Sequence, residues 1–241
     1  MNQHSELNPK FRFETFIVSP ENLTAHIAAM EVSESPGNVH NPLVICSGAG
    51  MGKTQLLHAI AKRLLINFPD FYVFYTTSEN FMNQFITAYR YDKIVEFREI
   101  HRKIDVLLFD DFQFIANKKK TQEELVHLFD ILLPRNKQIV VACVKSLLEI
   151  QGVDERLKSL FTKGLIVHIR IEIDTKVAIL MKMAESEKIE LAKDVAEFMA
   201  HNLDDDIRIL EDGLNRLSSH AKSTGEKITT DMVRKVLSHF L

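Results

Sequence analysis

An open α/β fold, a parallel sheet wrapped by helices and followed by an all-helical unit, is predicted by three observations. Short apolar runs alternate with amphipathic stretches from Leu43 to Ile169, the first run ends in a glycine-rich turn that opens a helix, and every segment after Ile173 has helical spacing. The apolar runs are Leu43 to Cys46, Phe71 to Tyr75, Val106 to Phe109, Ile139 to Cys143 and Ile166 to Ile169. Strands buried on both faces read as continuous apolar segments of this kind.

Taken in order, Pro20 and Glu21 open a helix running to about Val32, and Ser35, Pro36 and Gly37 stop it ahead of the first strand. Gln55 to Leu65 carries the helical pattern after the glycine-rich turn. Ile104 to Phe114, IDVLLFDDFQF, is a strand that delivers two carboxylates at its C-terminal end, where ligands of open parallel sheets bind. From Asp174, read as an N-cap, helical spacing continues through Val177, Leu180 and Met181 and through Val195, Phe198 and Met199. Asp204 to Asp206 and Ser223 to Gly225 are polar turns, and Thr229, Thr230 and Asp231 start the last helix. The expected division is an αβα nucleotide-binding domain over 1–173 and a helical lid over 174–241.

The turn carries the chemistry. Ser47 to Thr54 reads SGAGMGKT between an apolar strand and a helix. Gly48, Gly50 and Gly52 allow backbone shapes that point N–H groups inward, and the helix N-terminus adds positive potential. Lys53 then reaches terminal phosphates while the Thr54 hydroxyl holds Mg²⁺. The candidate cofactor set is Gly48, Ala49, Gly50, Met51, Gly52, Lys53, Thr54 and Gln55, with ATP or ADP and Mg²⁺ as ligands. Ser47 stands where the usual pattern has its first glycine, an irregularity expected to tighten or distort the start of the loop. About sixty residues on, Asp110 is placed to complete the Mg²⁺ shell and Asp111 to orient or activate water.

Composition bounds the rest. The 241 residues are 46% apolar, enough for one large domain or two modest ones, and the formal net charge is −3. Any nucleic-acid contact must therefore come from a local basic patch. Cys46 and Cys143 sit in apolar runs and read as small buried residues. The start MNQHSELNPK has no apolar signal region, and no apolar stretch approaches the roughly 20 residues of a membrane span, so a cytoplasmic protein with no membrane partner is expected.

SGAGMGKTQLLHAI, VEFREIHRKIDVLLFDDFQFIANKKKTQEELVHLFDIL and IRILEDGLNRL together resemble the AAA+ module of the bacterial DnaA initiator family, and the likeness runs from LNPKFRFETFIVSPEN at Leu7 to the C-terminus. The resemblance implies an AAA+ P-loop NTPase: a five-stranded parallel sheet between helices, with a C-terminal helical lid. It implies ATP or ADP binding in the initiation of DNA replication or its regulation, with single-stranded DNA and other AAA+ subunits as partners, either a full-length initiator or further copies of this chain. Sequence-specific reading of duplex DNA is not expected, because the family's helix-turn-helix domain is not part of this sequence. The alternatives are an ATP-dependent helicase loader or remodeller, and the excised central module of a longer initiator.

Carried across by position, Arg208 in DDIRILEDGL takes the place of the family's γ-phosphate sensor in the lid. Met82 and, in ANKKKT, Lys118, Lys120 and Thr121 take the places that grip single-stranded DNA, although that loop contains no aromatic residue for stacking. Arg156 remains as a candidate subunit contact, but Leu160 replaces the arginine that reaches into a neighbour's nucleotide, and Val144 replaces an aspartate near the γ-phosphate. Arginine fingers contribute factors of about 10³ to 10⁵ in related phosphoryl transfers, so weak or partner-dependent ATP hydrolysis is expected.

Overall fold

The computed structural model describes residues 7–144, 146 and 149–240; the first six residues of the polar N-terminal stretch, Lys145, Leu147, Leu148 and Leu241 lie outside them. Two compact units divide the chain, one of 1–47 and 52–169, the other of 48–51 and 170–241.

The first unit is built on five parallel strands, β1 (Leu43–Cys46), β2 (Val73–Thr77), β3 (Val106–Asp110), β4 (Gln138–Cys143) and β5 (Leu165–His168), in the order β2-β3-β4-β1-β5. Among the described residues, six α-helices belong to this unit: α1 (Leu23–Glu34), α2 (Lys53–Asn67), α3 (Ser78–Arg90), α4 (Ile94–His101), α5 (Lys119–Leu132) and α6 (Glu155–Thr162). Alternation along the strands sorts their side chains between two faces. Val44, Cys46, Leu107, Phe109, Ile139, Val141 and Cys143 share a core with Phe81 and Phe85 of α3, Phe97 of α4, Leu125 and Phe129 of α5, and Leu157 and Phe161 of α6. Helices α1 and α2 pack on β1, β3, β4 and β5 and cover the buried Leu43, Ile45, Leu108 and Val140.

Several sequence boundaries move. Helix α1 starts at Leu23 instead of Pro20, because the buried Asn22 side chain accepts the Ser19 N–H at 2.9 Å and donates to the Ile17 carbonyl at 3.0 Å, holding the preceding residues in a turn. Strand β2 begins at Val73, where the chain emerges from a turn, and runs on to Thr77, whose hydroxyl caps α3 by accepting the Asn80 N–H at 3.2 Å.

In the second unit α7 (Ile173–Ser186), α8 (Lys193–Asn202), α9 (Ile207–Thr224) and α10 (Thr230–Val236) enclose Leu180, Met199, Leu210, Leu214, Val233 and Leu237. Asp174 is not the N-cap of α7; Glu172 occupies that position and Asp174 lies in the first turn, where a carboxylate complements the helix dipole. Asp206 caps α9 and Thr229 caps α10 by accepting the N–H groups of Arg208 and Met232. Lys176 is buried, its ammonium donating to the carbonyls of Ala200 and Leu203 at 3.0 and 3.1 Å and pairing with Asp205 at 2.6 Å. Among the described residues, no helix is long and apolar enough to cross a membrane.

Candidate nucleotide-binding site

Strand β1 ends at Cys46 and the chain turns at once into the glycine-rich loop. Gly50 and Gly52 have φ of 64° and 91°, and Gly52 occupies the N-cap position of α2. A Cβ on Gly52 would meet the Phe16 ring at 3.2 Å, so both backbone sign and space call for glycine here. Ser47 does not distort the loop. It keeps φ out of the left-handed region, its N–H donates to the Cys143 carbonyl at 3.2 Å, and its carbonyl and hydroxyl accept from the Lys53 ammonium at 3.2 and 3.1 Å. The serine thus gives the lysine an extra acceptor. Lys53 is 6% exposed, and burial lowers its pKa against the opposing pull of Asp110 and Asp111.

Asp110 closes β3 on the far side of β4. Its carboxylate is 1% exposed and accepts three hydrogen bonds, from the Thr54 hydroxyl at 2.7 Å, the Asp111 N–H at 2.8 Å and the Tyr75 hydroxyl at 3.1 Å. Burial nevertheless raises its pKa above the ordinary carboxylate value. The Thr54 hydroxyl and the Asp110 carboxylate, two hard oxygen donors from different elements brought within 2.7 Å, make a corner that suits a Mg²⁺ ion completed by phosphate and water oxygens. Asp111 adopts the left-handed conformation with φ 56° and ψ 41°, a sparsely populated region for a non-glycine residue. Its carbonyl accepts from the buried Ser78 hydroxyl at 2.7 Å and its carboxylate from the Gln113 amide at 2.9 Å.

Tyr75, Ser78 and Gln113 were invisible as site residues in the sequence, since none belongs to a motif with its own spacing. Gln113 stands two residues beyond Asp111, and its carbonyl oxygen also accepts the Val144 N–H at 3.2 Å, joining the ends of β3 and β4.

The remaining candidates are distributed as follows. Met82 is half-buried against the core shared by α3 and the sheet. Lys118, Lys119 and Lys120 are exposed at the start of α5, whereas Thr121 is 5% exposed and presents little to solvent. An aromatic absent from the lysine loop itself arrives from α3: Lys120 Nζ lies 4.7 Å from the ring centroid of the exposed Tyr89. Arg156 pairs with Asp130 at 2.7 Å at the surface, and Leu160 packs against the core. Arg208 in the second unit forms a fork to Asp206, at 3.0 Å from Nε and 2.5 Å from Nη2. Gln55 Nε2 donates to the Thr15 hydroxyl at 3.4 Å.

A phosphate loop and an acid pair carried at strand ends mark a P-loop nucleotide-binding domain, and the five-stranded parallel sheet between helices has the AAA+ fold. Within that class, residues 7–168 match the family described as the bacterial DnaA ATPase domain, and the chain belongs to that family. It is 46% identical over 239 residues to the chromosomal replication initiator protein DnaA of Geobacter sulfurreducens, covering 98% of this chain and 54% of that protein. The chain therefore spans about half the length of the curated relatives it matches. It superposes on the crystal structure of domain III of the Thermotoga maritima replication initiation protein DnaA with a TM-score of 0.90 at 38% identity, covering 97% of this chain and 98% of that one. Against a replication initiator DnaA bound to AMPPCP and single-stranded DNA the TM-score is 0.84 at 29% identity, covering 91% and 69%.

Proposed function

We propose that this chain is an ATP- or ADP-binding switch acting in the initiation of chromosomal DNA replication or its regulation. The observation that carries the reading is the contact of Thr54 with Asp110 beneath a left-handed glycine turn, with Lys53 held beside it. Inward N–H groups of Gly48 to Thr54 and the α2 N-terminus receive phosphate oxygens, Lys53 neutralises them, and Thr54 with Asp110 holds Mg²⁺. The bound ion supplies charge neutralisation to the terminal phosphates. Asp111 acts on water, and Arg208 acts as the lid's phosphate sensor. Since Leu160 is apolar and packed inward, hydrolysis is weak or depends on a partner subunit. Isothermal titration with ATP, with and without Mg²⁺, against Lys53→Ala tests the switch; equal affinity in the two proteins ends it.

Single-stranded DNA is the proposed nucleic-acid partner, and the nucleotide-analogue and DNA complex of the related initiator supports this reading. Exposed lysines at the start of α5, with Lys120 over the Tyr89 ring, suit backbone gripping without sequence preference. Replacing Lys118 and Lys120 by alanine should weaken binding to all single-stranded sequences alike and lower the salt slope by about 0.7 per lost phosphate contact. An unchanged slope removes the loop from the interface. Docking to other AAA+ subunits, through Arg156 among other residues, completes the proposal, and ATP turnover in mixtures with a full-length initiator tests it.

A further inference from the structure

Beneath the phosphate loop lies a feature the nucleotide reading does not use. Cys46 and Cys143 are directly paired residues of the neighbouring parallel strands β1 and β4, so their side chains leave the sheet on the same face. Their Sγ atoms are 3.3 Å apart, and the two residues are 1% and 0% exposed. Neighbouring strands run about 4.8 Å apart, which lies at the short end of the Cα separations of about 4.4–6.8 Å that a disulfide bridges.

We propose that Cys46 and Cys143 are a redox-modification site that closes to a disulfide under peroxide and, while closed, lowers the affinity of the phosphate loop for nucleotide. The second half of this statement rests on the proposed nucleotide function. The oxidant is a peroxide, small enough to reach sulfurs at the strand ends when the adjoining loop opens locally. One thiol gives two electrons to the peroxide, becoming a sulfenic acid and releasing water; the other sulfur attacks it, forms the S–S bond and releases a second water. Two thiols and one peroxide thus yield one disulfide and two waters. Two equivalents of an external thiol reverse the change.

The coupling to the loop is short. Closing the bond brings the sulfurs from 3.3 Å to about 2.05 Å, drawing together the last residues of β1 and β4. Ser47 follows Cys46 directly, and its N–H is fastened to the Cys143 carbonyl at 3.2 Å. The same serine supplies two acceptors for the Lys53 ammonium, and Lys53 lies within electrostatic reach of both sulfurs. A shift at the strand ends is therefore delivered to the phosphate-binding lysine through one residue.

The test uses the full chain, reduced with dithiothreitol and then exposed to hydrogen peroxide. Intact mass after alkylation in denaturant should show a loss of two hydrogens with no alkyl groups added, and digestion should yield a cross-linked Cys46 and Cys143 peptide. The ATP dissociation constant should rise by about tenfold or more and return on reduction. Cys143→Ser and Cys46→Ala should each bind ATP with an affinity that peroxide leaves unchanged. Two alkylated thiols after peroxide, oxygen adducts without a cross-link, or a cross-link that leaves ATP affinity intact each overturn the inference. A reduced chain with no ATP affinity instead overturns the proposed function, whether or not the cross-link forms, and the switch falls with it.

Discussion

Replacing Asp110 by asparagine separates a metal-binding carboxylate from a structural one. The side chain accepts three hydrogen bonds, and an acceptor that loses its charge weakens each by about 1 kcal/mol, or about 3 kcal/mol in all. Against this stands the desolvation of a carboxylate only 1% exposed, which costs several kcal/mol. The direction of its pKa settles the balance: the folded environment favours the protonated form, even with Thr54, Tyr75 and the Asp111 N–H donating to it. Asparagine keeps an acceptor for the Asp111 N–H, and both hydroxyls can turn to accept from its amide. The apo variant should therefore match or exceed the native chain in stability by urea denaturation without Mg²⁺, whereas the gain in ATP affinity that Mg²⁺ confers should fall by about tenfold, near 1.4 kcal/mol. A loss of more than about 3 kcal/mol in the apo state would refute the argument, since it would make Asp110 a strut. Persistence of the full Mg²⁺ increment would refute it from the other side.

Three further perturbations test the fold around the site. His58 is 5% exposed, accepts the Asn8 N–H on Nδ1 at 3.0 Å, and has its pKa lowered to about 4 by burial and by Lys62. The unfolded chain takes up this proton near 6.5 and the folded chain only near 4, so stability should fall by up to about 3 kcal/mol as pH drops through that window; His58→Gln should flatten this part of the profile, and an identical slope would disprove the assignment. Arg98 clamps the 5% exposed Glu124 with two bonds of 2.9 and 2.7 Å, so Arg98→Met should cost about 2 kcal/mol in denaturant titrations, with much of the loss restored by adding Glu124→Leu. Gly52→Ala places a Cβ at φ 91° and 3.2 Å from Phe16, and thermal melts should show a loss of about 1–2 kcal/mol together with weakened ATP binding.

The sequence made the strands and the phosphate loop legible because their signals are local. Four or five consecutive apolar residues report burial on both faces, and glycines at fixed offsets before Lys53 and Thr54 report a backbone shape. Boundaries set by side-chain capping were less legible. Asn22 delays α1 and Glu172 displaces Asp174 as the cap of α7, because which polar residue turns back on the main chain depends on geometry that spacing does not encode. The surroundings of the acid pair were the least legible part. Tyr75 reaches Asp110 from β2, a contact that follows from strand order and not from proximity in the chain, whereas Gln113 turns back on Asp111 from two residues further on, a local contact with no spacing signal of its own. Ser47 showed the opposite case, a departure from the usual pattern that the fold absorbs by giving Lys53 two acceptors.

Gln113 reaches across to residue 144 through a peptide amide and not through a side chain. Such a tether is blind to what grows from the α-carbon, and it holds with valine as it would with almost any other residue. Only proline, which has no hydrogen on its nitrogen, would cut it. Position 144 can therefore drift in side-chain chemistry while the two strand tips stay laced together.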